Sequence, residues 1–305
     1  MSVVIATYNC QQYVGAAIAS VLAQTYARLE LHVVDDGSTD QTIMEVARFV
    51  DDPRVHYHRQ PNAGHAVAKN RGIDFSRGEF VGFCDADDMW RPDKLALQLA
   101  RFAGNDRVGV VYSRTALMNE DGAPLLRDRA DEPVYPSGRV TDDLFKINFV
   151  PFGTALVRRR CFDELGLFDP RHGTSIDWEL WLRLSLHYDF AFVEEETHVY
   201  RVWPGQMSKN WQRLYEHAFG IMREFVARHP GAVAPATVRD AWSHSYMQRA
   251  RLRSFLSGEH AGGVRDVARA LRIRPTSRLA WKTLPAIALA ASGLRRTPSM
   301  PRGQV

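Results

Sequence analysis

The chain has 305 residues, enough for one large domain or a domain and a half, and its 45% hydrophobic and 24% charged residues are ordinary globular values that argue against a disordered or fibrous chain. The formal charge of +4 conceals a polarity: residues 1–212 carry 23 Lys and Arg against 30 Asp and Glu, a balance of −7, while residues 213–305 carry 16 against 5, a balance of +11. An acidic body with a basic tail points to an anionic surface as partner for the tail.

In chain order, short apolar runs alternate with segments of helical period. The spacing predicts strands over 3–6, 31–34, 55–59, 80–84 and 108–112. Between them fall helices over 13–24, 41–50, 66–75 and 94–102, the last opened by Arg91-Pro92. This rhythm specifies an α/β domain with a mostly parallel sheet flanked by helices on both faces. Residues 119–150 lose the rhythm, carry Pro124, Pro133 and Pro136, and read as a loop or flap. The pattern resumes with a strand over 154–157, a helix over 178–186 and two short strands ending at Tyr200-Arg201. From about residue 207 it is helical only, with basic amphipathic helices over 213–228, 238–256 and 263–272, and a disordered tail over 297–305.

Three cysteines, Cys10, Cys84 and Cys161, form no C-x-x-C unit, which argues against a disulfide framework and for a reducing cytoplasm. The first apolar run begins at Val3, so no signal peptide is expected ahead of it. No apolar stretch reaches the ~20 residues of a membrane span. The longest candidate, residues 284–294, is short and carries Pro285.

Two acidic clusters stand at the ends of two apolar runs. Asp35-Asp36-Gly37-Ser38-Thr39-Asp40 follows the run 31–34, and Asp85-Ala86-Asp87-Asp88 follows the run 80–84. In an open α/β sheet, ligands bind beyond the carboxyl ends of such strands. Carboxylates delivered there without nearby basic partners call for a cation, and hard oxygen ligands select Mg2+ or Mn2+, bound through one or two carboxylates plus substrate phosphates. Alternation sends Asp85 and Asp87 to one side, one to hold a metal and the other a ribose or a metal-bound water. The bland alternative is an acidic turn, which like-charge repulsion makes costly when empty.

The other candidates are less specific. Asp36 offers acceptors to a base or ribose, Gly37 permits a tight turn, and Ser38 or Asp40 can cap the following helix. Thr7-Tyr8-Asn9 can stack on and hydrogen-bond a base, or form an ordinary strand-to-helix turn. Lys69, Asn70 and Arg71 near a helix start suit a diphosphate, although Arg71 can equally pair with Asp74. Asp177 opens a strongly apolar helix and, on these residues alone, reads as its cap, with Trp178 and Trp181 in the core.

Taken together, these segments resemble the inverting family-2 glycosyltransferases of the GT-A fold, non-processive bacterial type. The likeness runs in order through Val3-Val4-Ile5-Ala6-Thr7-Tyr8-Asn9, Ser20-Val21-Leu22-Ala23-Gln24-Thr25-Tyr26, Val33 to Asp40, Asn70-Arg71-Gly72-Ile73, Asp85-Ala86-Asp87-Asp88, Gly166-Leu167-Phe168-Asp169 and Asp177-Trp178-Glu179-Leu180-Trp181. It implies a GT-A catalytic domain over 1–210, with a nucleotide-binding half over 1–118 and an acceptor half over 119–210. A basic helical extension over 211–296 and the tail over 297–305 complete the division. It further implies that Thr7, Tyr8, Asp36 and Arg71 contact the donor, that Asp85 and Asp87 are the pair holding Mg2+ or Mn2+ on its diphosphate, and that Asp177 is the catalytic base. Gly153, Thr154 and Trp203 fall on the implied acceptor side.

The resemblance also implies partners: a nucleotide-diphosphate sugar, with uridine or thymidine diphosphate as the expected carrier, and a glycan, lipid-linked glycan or other hydroxyl acceptor in cell-surface polysaccharide synthesis. Two departures stand out. Many relatives carry a His two residues after the Tyr-Arg pair, whereas here Tyr200-Arg201 is followed by Val202 and Trp203. The Gln-x-x-Arg-Trp motif of processive synthases is absent, so one sugar per encounter is expected. A catalytically weak sugar-nucleotide-binding or assembly subunit is the non-enzymatic alternative. A nucleotidyltransferase is a third reading, against which Thr7-Tyr8-Asn9 stands where a Gly-rich phosphate loop would be. The basic helices are expected to meet an anionic membrane surface, or else to form a solvated subdomain or a dimer contact. No nucleic-acid partner is expected. The expected location is cytoplasmic, with a peripheral site on the inner face of the plasma membrane if the tail binds lipid.

Overall fold

The computed structural model describes residues 1–126 and 134–292. The expected tail over 297–305, and Pro133 of the expected flap, lie outside the described residues. The chain forms two compact units: Met1–Val140 with Phe149–Gln206, and Thr141–Asn148 with Met207–Val305.

The first unit begins with β1 (Ser2–Thr7), α1 (Val14–Leu22), β2 (Glu30–Asp35), α2 (Thr42–Ala47), β3 (Val55–Arg59), α3 (His65–Phe75) and β4 (Phe80–Phe83). It continues through β5 (Met89–Trp90), α4 (Lys94–Ala100), β6 (Val108–Asn119) and β7 (Pro124–Leu125). After α5 (Thr141–Lys146), which belongs to the second unit, come β8 (Leu156–Arg158), α6 (Arg159–Leu165), α7 (Ile176–Ser185) and β9 (Asp189–Val202).

These strands make one nine-stranded sheet in the order β3-β2-β1-β4-β8-β6-β9-β5, with β7 paired to β6. The first four strands in that order are parallel. Beyond them the sheet is mixed: β8 runs antiparallel to β4 and β6, β9 parallel to β6, and β5 antiparallel to β9. The expected parallel sheet therefore describes the first half. The apolar runs of β1 and β2 are buried almost throughout, as strands covered on both faces must be. Val3 and Ile5 pack with Val14, Ala17, Ile18 and Val21 of α1 on one face. On the other face Gly72 of α3 lies so close to Val4 that a Cβ there would overlap Val4 Cγ1. Because β1, β2 and β4 are parallel, the loops after Thr7, Asp35 and Phe83 emerge at one edge of the sheet.

Several elements differ from the expectation. β9 is one fourteen-residue strand where two short strands are expected, and it contains the acidic run Glu194-Glu195-Glu196. That run coincides with a register irregularity around Arg114 of β6, where Arg114 pairs with Glu194 at 2.7 Å. Helices α5 and α6 were not legible, and β5 contributes only two residues.

The second unit contains α5, α8 (Trp211–Arg228), α9 (Pro235–Arg251), α10 (His260–Ile273) and α11 (Arg278–Ala291). Its core joins Met247, Ala250, Val267, Ala270, Ala280 and Ile287. Beside that core the fully buried Asp266 accepts from Arg249 at 2.8 and 2.6 Å and from Arg253 at 3.1 Å. Part of the positive charge of the tail is thus spent inside the fold. On α11, Leu279, Trp281 and Leu289 are exposed, Trp281 to 58%. Among the described residues no helix is long and apolar enough to cross a membrane.

Candidate active site

The loops after β1 and β2 are tied to each other. Asn9 adopts φ +47 and its Oδ1 accepts the Thr39 N–H at 2.8 Å, while Ser38 Oγ accepts the Asn9 N–H at 3.0 Å. This leaves Tyr8 51% exposed at the sheet edge. Thr7 Oγ1 is buried without a hydrogen-bond partner among the described residues. Asp40 Oδ1 accepts the Thr42 N–H at 3.0 Å from one residue ahead of the N-cap, Gln41, whose own side chain makes no capping bond.

Asp35 and Asp36 point into the protein. Asp35 accepts the Ser38 N–H and the Tyr57 hydroxyl, each at 2.7 Å. Burial and this carboxylate push the Tyr57 phenol well up. Asp36, 3% exposed, accepts from Gln60 Nε2 at 2.7 Å, Ala63 N at 2.9 Å and Gly64 N at 2.8 Å. It therefore ties down the loop before α3. Gly37, at φ +82, makes room for that loop: a Cβ would lie 2.8 Å from Asn62 N. Arg71 reaches Asp36 only through Gln60, whose Oε1 accepts from it at 3.4 Å.

The loop after β4 carries three carboxylates with different partners. Asp85 is not without a basic neighbour, contrary to expectation: Lys69 Nζ of α3 stands 3.0 Å from its Oδ1 and lies over the Phe152 ring. Asp87 Oδ2 accepts the Trp203 indole N–H at 2.8 Å, and its backbone carbonyl accepts Arg201 Nε at 2.8 Å. Burial, then the nearby Asp88 and Asp85 charges, push the Asp87 carboxyl up to about 6, against the pull of the Trp203 bond. Asp88 turns inward and is fully buried, accepting from His198 Nε2 at 3.0 Å and Arg201 N at 2.9 Å.

Gly153 and Thr154, expected on an acceptor side, are buried. The Gly153 carbonyl accepts Trp90 Nε1 at 3.1 Å, and the Thr154 carbonyl accepts Lys94 Nζ at 2.6 Å and Gln98 Nε2 at 2.7 Å. The Thr154 hydroxyl donates to the Pro151 carbonyl at 2.7 Å. A side chain at Gly153 would collide with the His198 ring, so this glycine is what admits the partner of Asp88.

Asp177 lies half-buried in the first turn of α7. The segment leading to it is fastened to α3. Asn70 exchanges two bonds with the Phe168 backbone, at 2.8 and 3.0 Å, and His65 Nε2 donates to the Gly173 carbonyl at 2.9 Å. Burial, then Lys69, push the His65 ring down to about 4, which keeps it neutral at ordinary pH. Arg183 further holds α7 by pairing with Glu179 at 2.8 Å and donating to the Leu167 carbonyl at 2.7 Å. One helix, α3, thus touches both the acidic loop and the approach to Asp177. His65, His198 and Arg201 carry this arrangement; Arg201 belongs to the Tyr-Arg pair of the family resemblance, whereas no sequence signal marks His198.

Among the described residues no cluster of three or more His, Cys, Asp or Glu side chains forms a metal cage. The donor set that exists is carboxylate oxygen on one loop. It fits a hard cation completed by phosphates and water rather than by protein.

A mixed sheet with a parallel first half, an acidic loop at its carboxyl edge and a helix opened by an acid defines the α/β class of GT-A glycosyltransferases. Two solved structures share it across most of their length. TarS of S. aureus in complex with UDP-GlcNAc superposes with TM-score 0.64 at 17% identity, covering 96% of this chain and 87% of that one. A mannosyltransferase of Pyrobaculum calidifontis in complex with GDP-Man and Mn2+ superposes with TM-score 0.64 at 19% identity, covering 96% and 85%. At these identities the likeness establishes the fold. The sequence pattern of Glycosyl transferase family 2 matches residues 2–166, more than half of the chain. The chain belongs to that family. It is 29% identical over 234 residues to a putative teichuronic acid biosynthesis glycosyltransferase of Bacillus subtilis, covering 75% of this chain and 89% of that protein. It is also 29% identical over 186 residues to a chondroitin synthase of Pasteurella multocida, covering 61% of this chain but only 19% of the longer protein.

Proposed function

We propose that the protein transfers one sugar from a nucleotide-diphosphate sugar to a hydroxyl of a glycan or lipid-linked glycan in cell-surface polysaccharide synthesis, with inversion at the anomeric carbon. The observation that carries this reading is the acidic loop at the carboxyl edge of the parallel strands. There the half-buried carboxylate of Asp87 is held up to about 6 by desolvation and like charge, an arrangement that a cation would relieve. The nucleotide sugars bound by the TarS and mannosyltransferase structures support the donor class. The teichuronic acid and chondroitin relatives support a polysaccharide product.

Asp87 and Asp85 would hold Mg2+ or Mn2+, with Lys69 free to follow Asp85 or turn to phosphate. When bound, the ion supplies neutralisation of charge on the departing diphosphate. Thr7, Tyr8, Asp36 and Arg71 belong to the donor side: Tyr8 offers an exposed ring for stacking and Thr7 an unspent buried hydroxyl, while Asp36 fixes the loop between them and α3. Asp177 takes the proton of the acceptor hydroxyl as its oxygen bonds to the anomeric carbon. The bond from that carbon to the diphosphate oxygen breaks on the opposite face, which inverts the centre without a covalent sugar–enzyme intermediate.

The basic helical unit would bring the enzyme to an anionic lipid surface. On α11 the exposed Trp281 and Leu289 lie on the side that also shows Lys282, and Arg272, Arg274 and Arg278 stand exposed nearby in sequence. An aromatic and aliphatic face flanked by cations fits an interfacial helix. The central test is Asp87→Ala titrated with UDP by calorimetry: Mn2+-dependent binding should be lost, and equal affinity with and without Mn2+ in both proteins would refute the metal reading.

A further inference from the structure

We propose that Trp203 is a positioning residue for Asp87, its indole N–H fixing the direction in which that carboxylate presents its remaining oxygen; the assignment rests on the sugar-nucleotide reading above. The bond from Nε1 to Asp87 Oδ2 is 2.8 Å. An indole nitrogen donates and cannot ligate a cation. Trp203 therefore engages one carboxylate oxygen, Oδ2, and does not occupy the other, Oδ1, which it leaves to a cation.

The surroundings of Trp203 hold the ring in that place. Tyr13 packs against it with ring centroids 5.5 Å apart and also lies under the Arg201 guanidinium at 4.4 Å. The Trp203 backbone N–H donates to Gln206 Oε1 at 3.2 Å, and Gln206 Nε2 donates in turn to the Arg201 carbonyl. Gly205 sits against the indole so closely that any Cβ there would overlap the ring. Arg201 grips the Asp87 carbonyl while Trp203 grips its carboxylate, so both ends of this one residue are set by the segment 201–206. A side chain held at both ends has its direction decided before a ligand arrives, which is what pre-organisation of a binding group requires.

The geometry points to a measurable split. Trp203→Phe keeps an aromatic ring to pack against Tyr13 and removes the N–H donor together with the rest of the pyrrole ring. In this variant the affinity for UDP in the presence of Mn2+ should fall about tenfold, equivalent to 1.4 kcal/mol, while affinity for UDP without Mn2+ stays at the wild-type value. Gly205→Ala displaces the ring without deleting it and should produce the same selective loss. A purely structural role would weaken both affinities together, so the ratio of the two, read by calorimetry at one pH, decides. Wild-type Mn2+–UDP affinity in Trp203→Phe, or equal losses with and without the ion, overturns the assignment and leaves the donor reading standing. If the wild-type protein shows no Mn2+-dependent gain in UDP affinity, the metal reading fails and this inference falls with it.

Discussion

Asp87 and Asp88 are neighbours in sequence, yet the structure gives their carboxylates opposite effects on stability. Replacing Asp88 by Ala removes the acceptor of two buried donors, His198 Nε2 at 3.0 Å and Arg201 N at 2.9 Å. Leaving a buried donor unsatisfied costs ~1–3 kcal/mol, so the pair amounts to roughly 2–6 kcal/mol. Relief of the repulsion that Asp88 exerts on Asp87 returns part of it. At ~2–4 °C per kcal/mol for a unit of this size, the unfolding midpoint should drop by roughly 5–15 °C. Asp87→Asn keeps an acceptor for the Trp203 N–H and discharges a carboxyl that burial and its neighbours hold up at about 6. Its midpoint should stay at or rise above that of the wild type. The assay is thermal unfolding followed by tryptophan emission at pH 7.5 in EDTA. If Asp88→Ala melts with the wild type while Asp87→Asn melts well below it, Asp87 is the brace, Asp88 the open ligand, and the division of roles drawn here is wrong.

Three further outcomes follow from the same geometry. Asp177→Asn should retain UDP binding and lose transfer by ~10²–10⁴-fold, as removal of a general base does; near-normal turnover would strip Asp177 of that role. Burial, with His32, His56 and Arg71 adding repulsion, pulls the His58 ring from its ordinary 6.5 down to about 4. Between those values the unfolded chain binds more protons than the fold, so this contribution is present above about 6.5 and lost as pH falls towards about 4. His58→Gln should flatten the dependence of stability on pH across that window without abolishing it, because burial lowers His32 as well; an unchanged slope would count against the histidine cluster as its source. Trp281→Glu with Leu289→Glu, both at exposed positions, should reduce co-sedimentation with vesicles containing anionic lipid and leave the melting profile intact; equal sedimentation would remove α11 as the lipid contact.

The parallel half of the fold was legible because its strands are continuous apolar runs and its helices carry a clear period. Elements without such a signal were lost. The two residues of β5 show no alternation, and α6 opens with Arg159-Arg160, whose long side chains mask a short buried face at Cys161 and Phe162. The two short strands expected before Tyr200-Arg201 are one strand, β9, whose acidic run sits at a local irregularity paired with Arg114. The site divided in the same way. Asp85 and Asp87 announced themselves through composition at a strand end, while Asp177, a helix cap by its residues alone, was marked only by the family resemblance. Their partners Lys69, Trp203 and His65 are joined to them only by the fold, as are His198 and Asp88. The burial of Gly153 and Thr154 could not be inferred either, since small residues suit an open rim and a crowded interior equally well.

The height of α3 above the sheet is governed by a missing methyl group. Gly72 rests directly on Val4, and the residues that reach outward from the same helix are His65, Lys69 and Asn70. A substitution as small as alanine at that point must lift or roll the whole cylinder. The three attachments would then stretch together, loosening the acidic loop and the run-up to Asp177 in a single movement. Tolerance to change at the chemistry is therefore limited from beneath, by a contact that meets neither sugar nor nucleotide.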